Sequence, residues 1–291
     1  MKFKELGATG QQVPEIGVGT YLYRGTAELL RLGVEQGATL IDTAEYYGNE
    51  EVVGQAIRGI RDRVFVATKA HHWRRQEVFD SADASLRKLG IETIDLYQIH
   101  WPNAAVPIEE TMAAMEELVA RGKVRFIGVS NFTLPELKRA QRALRKERIV
   151  SNQVRYSLIH RTIEPRLLPY CQAQQITVIA YSPLGHRYDA LLEADGRGAL
   201  RRVATETGKT VAQVALNWCV AKPGVVAIPK TESAAHLTEN CRSSDWRLSA
   251  AQMKLLDEGV RYRSRSRGEL ALRRYVRGAV QIYRAKMRKV T

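Results

Sequence analysis

Val64-Phe65-Val66-Ala67-Thr68-Lys69 reads as a short β-strand, and Ile94-Asp95-Leu96-Tyr97-Gln98-Ile99-His100 reads as another. Between them, residues 77–89 place Val78, Ala82, Ser85, Leu86 and Leu89 on one helical face and stop at Gly90. Short runs of apolar and β-branched residues favour strands, a 3.6-residue apolar period favours a helix, and glycine ends helices readily. Strand, helix and strand in this order make a βαβ unit, whose strands run parallel.

Reading outward in both directions, the unit recurs. Eight strands are expected near residues 16–19, 39–42, 64–68, 94–100, 125–129, 150–153, 177–181 and 225–228. Helical patterns alternate with them, as in residues 26–36 closing at Gly37 and residues 108–120 closing at Gly122. Eight such repeats predict an α/β fold, a single (β/α)8 TIM barrel. A doubly wound sheet competes, but Gly17-Val18-Gly19 lacks the third glycine of a dinucleotide-binding turn. Before the barrel, residues 3–6 and 12–14 flank Gly7-Ala8-Thr9-Gly10 and predict an N-terminal β-hairpin cap.

The 291 residues carry a formal charge of +14. Eleven Lys/Arg and one acid, Glu269, lie from Arg261 onward, a local +10 that leaves +4 for the first 260 residues. The reading is therefore a barrel over residues 1–260 and a basic C-terminal extension over 261–291, helical from about 269. No apolar run approaches the roughly 20 residues of a membrane span, and the polar N-terminus lacks a signal-peptide core. A cytoplasmic protein is expected. Cys171, Cys219 and Cys241 show no metal or redox spacing and are expected in the core.

Barrels of this kind carry their chemistry at the C-terminal ends of the strands. Asp42, Lys69 and His100 end three successive strands, so they should converge on one pocket. The segments around them also carry a resemblance. Asp42-Thr43-Ala44-Glu45-Tyr46-Tyr47-Gly48-Asn49-Glu50, Thr68-Lys69 and Asp95-Leu96-Tyr97-Gln98-Ile99-His100-Trp101-Pro102 are similar to signatures of the aldo-keto reductase family. Ile127-Gly128-Val129-Ser130-Asn131-Phe132, Ala180-Tyr181-Ser182-Pro183-Leu184-Gly185 and Ile228-Pro229-Lys230 extend the likeness in order.

The resemblance implies NAD(P)H-dependent, reversible reduction of aldehydes or ketones to alcohols. It casts Tyr47 as the proton donor, Lys69 and Asp42 as the pair that lowers its pKa, and His100 as the residue that orients the carbonyl. It implies no metal; His71-His72 is the nearest thing to a ligand pair. It gives Gly19 and Thr20 to the nicotinamide ribose, Ser130, Asn131 and Gln153 to the carboxamide, and Tyr181 to the ring. Ser182, Leu184 and Gly185 go to the pyrophosphate, Lys230 and Ser233 to a 2′-phosphate, and Glu239 and Asn240 to adenine. His236 stands where many NADPH-specific members have arginine. Histidine lacks that fixed charge and fork, so NADPH is the expected cofactor, with NADH discriminated against weakly.

Tyr21, Trp73 and Trp101 are the expected substrate walls, and the short loop 103–106 predicts an open mouth. In the extension, residues 261–267 read as a mobile basic linker. Leu272, Tyr275, Val276, Ala279, Val280, Ile282, Tyr283 and Met287 then form an apolar stripe for the barrel, a second subunit or an anionic surface. The rival functional class is an NADPH-binding redox sensor or scaffold with slow turnover.

Overall fold

The computed structural model describes residues 1–287, with the side chains of 267 and 284–287 outside the description. Two strands, β1 (Phe3–Glu5) and β2 (Gln12–Pro14), pair antiparallel as the hairpin. Eight parallel strands follow in sequence order: β3 (Val18–Gly19), β4 (Leu40–Asp42), β5 (Phe65–Ala70), β6 (Ile94–Ile99), β7 (Val124–Ser130), β8 (Ile149–Arg155), β9 (Thr177–Tyr181) and β10 (Val225–Ile228). The sheet closes on itself through the residues before β3. Ile16 bridges Ala227, the Gly17 amide donates to the Ala227 carbonyl at 2.8 Å, and the Ala227 amide donates to the Glu15 carbonyl at 2.8 Å. At this seam a Cβ on Gly19 would lie 2.7 Å from the Ile228 carbonyl oxygen, so only glycine allows the approach.

The helices are α1 (Ala27–Glu35), α2 (Glu50–Ile57), α3 (Arg75–Leu89), α4 (Ile108–Ala120), α5 (Leu134–Ala143), α6 (Leu167–Ala173), α7 (Tyr188–Ala194), α8 (Ala199–Thr207), α9 (Val211–Val220), α10 (Ala234–Cys241), α11 (Ala250–Gly259) and α12 (Arg267–Met287). Side-chain capping fixes the starts of some of them. Thr210 with Gln213, and Ser249 with Gln252, form capping boxes at α9 and α11. Gly90, left-handed at φ 64°, ends α3 as the sequence predicts.

Inside the barrel, Leu40, Phe65, Leu96, Val150, Ile179 and Val226 pack with Leu6 and Val13 of the hairpin, which plugs the end away from the strand C-termini. Every β5 and β6 residue is buried because one face meets this interior and the other meets helices. The three cysteines are buried and unbridged.

The extension departs from expectation in its linker. Residues 261–267 are tied down: the Arg261 amide donates to the Ala194 carbonyl at 3.0 Å, and Arg263 exchanges backbone hydrogen bonds with Ile159 and Arg161. Helix α12 begins at Arg267, where the Ser266 hydroxyl accepts from the Glu269 amide at 3.2 Å. The apolar stripe is not packed tightly on the barrel: Leu272 and Val276 border a cavity beneath the helix, and much of the stripe is exposed. Leu272 and Tyr275 are 62% and 75% exposed, and Val276, Val280, Ile282 and Tyr283 are exposed too. Polar groups make the contact with the barrel instead. The Gln281 amide donates to the Pro102 carbonyl at 2.9 Å and accepts from the Ala104 amide at 3.0 Å, while Arg277 pairs with Glu136. The side chain of Met287 lies outside the described residues. Because α12 clamps the loop after β6, the mouth is partly roofed, not open.

Candidate active site

Asp42 is the last residue of β4 and Lys69 is the fifth of β5, so the barrel brings both to its C-terminal mouth. The fully buried Lys69 ammonium donates to Asp42 Oδ2 and the Thr43 carbonyl, each at 2.7 Å, and to the Tyr47 hydroxyl at 3.4 Å. Burial alone would lower the lysine's pKa. The Asp42 carboxylate and the Tyr47 oxygen outweigh burial and leave it raised, so the group is a fixed cation.

Tyr47 sits on a 3-10 turn directly after β4, and Gly48 (φ 69°) ends that turn. Its neighbour Tyr46 is 70% exposed and stacks on His71, which separates the two tyrosines. The Tyr47 ring meets His100 edge-on at 5.6 Å and Tyr21 at 5.1 Å. One expectation needs correction. Lys69 does pull the phenol's pKa down, but burial pushes harder and Asp42 adds to it, so the net shift is upward. Tyr47 is therefore a protonated phenol at neutral pH.

His100, just past β6, is buried, and its pKa is pushed down to about 3 by burial, then Lys69, then His71. It is a neutral imidazole across the physiological range. Its Nδ1 has no hydrogen-bond partner among the described residues. His160, in the loop after β8, is likewise pushed down to about 4, by burial first and nearby arginines second. The unfolded chain binds these protons near pH 6.5 and the folded chain does not. Stability contributed by the two neutral histidines is thus lost as pH falls from about 6.5 toward 4. We expect unfolding at pH 5 to take up close to two protons from this pair, a slope of about 2.7 kcal/mol per pH unit. Proton uptake measured by calorimetry should drop by about one in His100→Gln and again in the double variant with His160→Gln. An unchanged uptake would reject the assignment.

Asp42 is a wider hub than the sequence suggests. Its Oδ1 accepts from Gln153 Nε2 at 2.7 Å and from Gln98 Nε2 at 3.3 Å. Gln98 was missed. Its position at an inward-facing place on β6, surrounded by apolar neighbours, was the available signal. Asn49 was also missed: its amide donates to the Thr20 carbonyl at 2.7 Å and accepts from the Thr43 hydroxyl at 2.8 Å, fixing the turn that carries Tyr47. Glu45 accepts from the His71 amide at 2.5 Å and from Ser81, anchoring the loop after β5.

Tyr21, Trp73 and Trp101 do gather at this mouth. Trp73 Nε1 donates to the Trp101 carbonyl at 2.7 Å, and His71 packs between Trp73 and His100 at ring distances of 5.3 and 5.7 Å. His71 is thus a wall residue that sequence reading did not place there. His72 is half-exposed, with Nε2 3.4 Å from Glu45, and no group of three metal-ligating side chains exists among the described residues.

A second polar array borders the first. Asn131 and Ser182 both hold left-handed backbone, at φ 63° and 48°, an uncommon state for residues with a Cβ. The Asn131 amide donates to Ser130 Oγ at 3.0 Å and to the His100 carbonyl at 3.1 Å, and its Oδ1 accepts from the Tyr181 hydroxyl at 2.9 Å. Ser182 Oγ lies 3.4 Å from His186 Nδ1. Gly185 (φ 86°) turns the loop after β9, and Leu184 packs on the core. After β10, Lys230 is paired with Glu232 at 2.7 Å, and Ser233 caps α10 by accepting from the His236 amide at 3.4 Å. His236 is exposed in the first turn of α10, Glu239 bonds Thr210, and Asn240 is buried in the same helix.

The aldo/keto reductase family model matches residues 15–261. A methylglyoxal reductase of Escherichia coli K12 is 39% identical over 261 residues, covering 84% of this chain and 90% of that protein. A glyoxal reductase of Bacillus subtilis is 33% identical over 258 residues, covering 85% and 89%. Among solved structures, an aldo-keto reductase from Klebsiella pneumoniae in complex with NADPH superposes with a TM-score of 0.83 at 38% identity, covering 91% and 98%.

Proposed function

The chain belongs to the aldo/keto reductase family, and we propose that it reduces small reactive aldehydes of the methylglyoxal class with NADPH, with Tyr47 as proton donor. Its reaction is the NAD(P)H-dependent reduction of carbonyls. The observation that carries the residue assignment is the buried Asp42–Lys69–Tyr47 chain of hydrogen bonds beside a neutral His100.

NADPH, when bound, supplies the hydride. The protein's part is to position the carbonyl and deliver a proton. Tyr47, protonated at neutral pH, gives its proton to the oxygen that gains charge as hydride arrives. Lys69 stabilises the phenolate left behind, and Asp42 keeps Lys69 charged and in place. His100, neutral and without a partner on Nδ1, carries its proton on Nε2 and donates it as a hydrogen bond to the carbonyl oxygen. The tautomer follows from the rarity of buried N–H groups left unpaired. Tyr21, His71, Trp73 and Trp101 wall the carbonyl carrier. Incubation with NADPH and methylglyoxal should consume NADPH; no consumption with methylglyoxal or related aldehydes would reject the reading.

The cofactor residues fit a nicotinamide dinucleotide. Left-handed Asn131 and Ser182 bracket Tyr181, whose hydroxyl Asn131 fixes, and such backbone strain persists where a site needs it. Ser130, Asn131 and Gln153 would take the carboxamide. Gln153 spends its Nε2 on Asp42, which leaves its carbonyl oxygen for the carboxamide N–H. Tyr181 would stack on the ring, Gly19 and Thr20 would lie at the ribose, and Ser182, Leu184 and Gly185 at the pyrophosphate. Lys230, Ser233 and the N-terminus of α10 would take the 2′-phosphate, with Glu239 and Asn240 at adenine. Because Glu232 already holds Lys230 and His236 replaces a fixed charge, selectivity should be modest. We expect NADPH to bind about 10-fold more tightly than NADH, equivalent to one charge-assisted hydrogen bond. Equal or tighter NADH binding in fluorescence titrations would reject the preference.

A further inference from the structure

A cavity of about 1140 Å3 lies beneath α12. Its lining joins Trp101 and Asn131, beside the proposed site of reduction, with Tyr181, Arg155, His160 and His186. Around Arg155 the lining is crowded with cations. Arg155 closes β8 in parallel register with Tyr181 of β9. Arg265 reaches in from the tied-down segment before α12, and Arg263 and Arg273 lie beside it.

Acids do not balance them. Glu269 is shared among Arg263, Arg265 and Arg273, at 3.7, 3.3 and 3.1 Å. Arg155 has neither an ion pair nor a side-chain hydrogen bond to any described residue, and its Nε is sealed from solvent. The two histidines cannot help. Burial, then Arg155, lowers the pKa of each, so both remain neutral at pH 7. Arg155 is partly buried, so its guanidinium gives up part of its hydration without a counter-charge in return. Its planar fork is also the side-chain geometry best matched to a carboxylate or phosphate.

We propose that Arg155, supported by Arg265, is a recognition site for an anionic group on the substrate, a carboxylate or phosphate carried a few bonds from the reacting carbonyl. The proposal rests on the carbonyl-reductase reading and adds a substrate class to it. Two observations favour the substrate over the cofactor's phosphates as the occupant. The cavity is continuous with Trp101 and roofed by α12, and neither Lys230 nor Ser233 lines it. The extension thus acquires a role: it brings Arg265 to the site and closes the cavity over it.

The test compares wild type, Arg155→Leu and Arg155→Lys on succinic semialdehyde and on butanal, which share a four-carbon chain and differ in the carboxylate. NADPH titrations, melting temperatures and succinate binding to the NADP+ complex accompany the kinetics. For Arg155→Leu we expect kcat/KM on succinic semialdehyde to fall about 10–100-fold, mainly through KM, as loss of a charge-assisted bidentate contact implies. Butanal turnover and NADPH affinity should change less than about twofold, with partial recovery in Arg155→Lys. Equal losses on both aldehydes would make Arg155 structural and overturn the proposal. A tenfold loss of NADPH affinity with unaltered aldehyde preference would assign the cluster to the cofactor and overturn it too. If wild type reduces methylglyoxal but neither of these aldehydes, the carbonyl-reductase reading stands and succinate binding decides the subsite alone. Binding lost in Arg155→Leu upholds the site; binding retained rejects it.

Discussion

Tyr47→Phe should lower kcat for methylglyoxal reduction by about 10²–10⁴-fold, the range a positioned general acid contributes. The ring would keep its edge-on contacts with Tyr21 and His100 and lose only the hydroxyl. Lys69 would retain Asp42 and the Thr43 carbonyl, both at 2.7 Å, so the stability change should stay within about 1 kcal/mol. Cofactor affinity should hardly move, because none of the residues assigned to NADPH bonds the phenol. The loss should therefore appear in kcat with a native melting curve. The pH profile adds a second check. Burial raises the Tyr47 pKa, so its proton is present through the neutral range. The free enzyme's kcat/KM should lose this acid only above about pH 10, the ordinary phenol value. The matching substitution at the neighbouring tyrosine tests whether Tyr47 is the correct choice. Tyr46→Phe should leave turnover nearly intact, since Tyr46 is solvent-facing and touches His71 alone among the wall residues. If Tyr46→Phe proved the damaging change, the assignment would fail.

Much of this architecture was legible because strand ends are legible. Residues such as Val64 to Lys69 announce a buried strand through unbroken apolar, β-branched character, and the polar residue that ends the run must emerge at the barrel mouth. Asp42, Lys69 and His100 were found that way. Gln98 and Asn49 were not, because their roles depend on what lies across the mouth rather than along the chain. A buried glutamine two residues before a strand end looks like any other inward residue until Asp42 is seen against it. The sign of the Tyr47 shift was also hidden. Sequence placed an ammonium near the phenol, but the competing term was depth, which the fold alone sets. The extension was only partly legible for a related reason. Its apolar stripe left the partner open, and the contacts that place the helix are polar: Gln281 bonds backbone groups of the loop after β6, Arg277 pairs with Glu136 of α5, and much of the stripe stays exposed.

Asp42→Ala should damage the protein in two separable ways. First, it strands a fully buried ammonium. Lys69 would be left with the Thr43 carbonyl and a phenol 3.4 Å away, neither carrying charge. Removing one partner of a buried ion pair typically costs about 3–5 kcal/mol, and the lysine's pKa, now raised by Asp42, should fall as burial takes over. Second, it frees the amides of Gln98 and Gln153 from the one oxygen that orients both. Their side chains already approach to 3.5 Å and can turn to each other, so this part should cost less. The double variant Asp42→Leu/Lys69→Met separates stability from chemistry. Replacing both charges with apolar groups removes the uncompensated cation, so denaturant melts should show it more stable than Asp42→Ala. Its turnover should be no better than that of the single variant, because no cation remains to stabilise the Tyr47 phenolate. A double variant that regained activity along with stability would mean that Asp42 and Lys69 hold the barrel mouth together without tuning the acid. A single variant that melted like wild type would mean that water, not Asp42, keeps Lys69 charged.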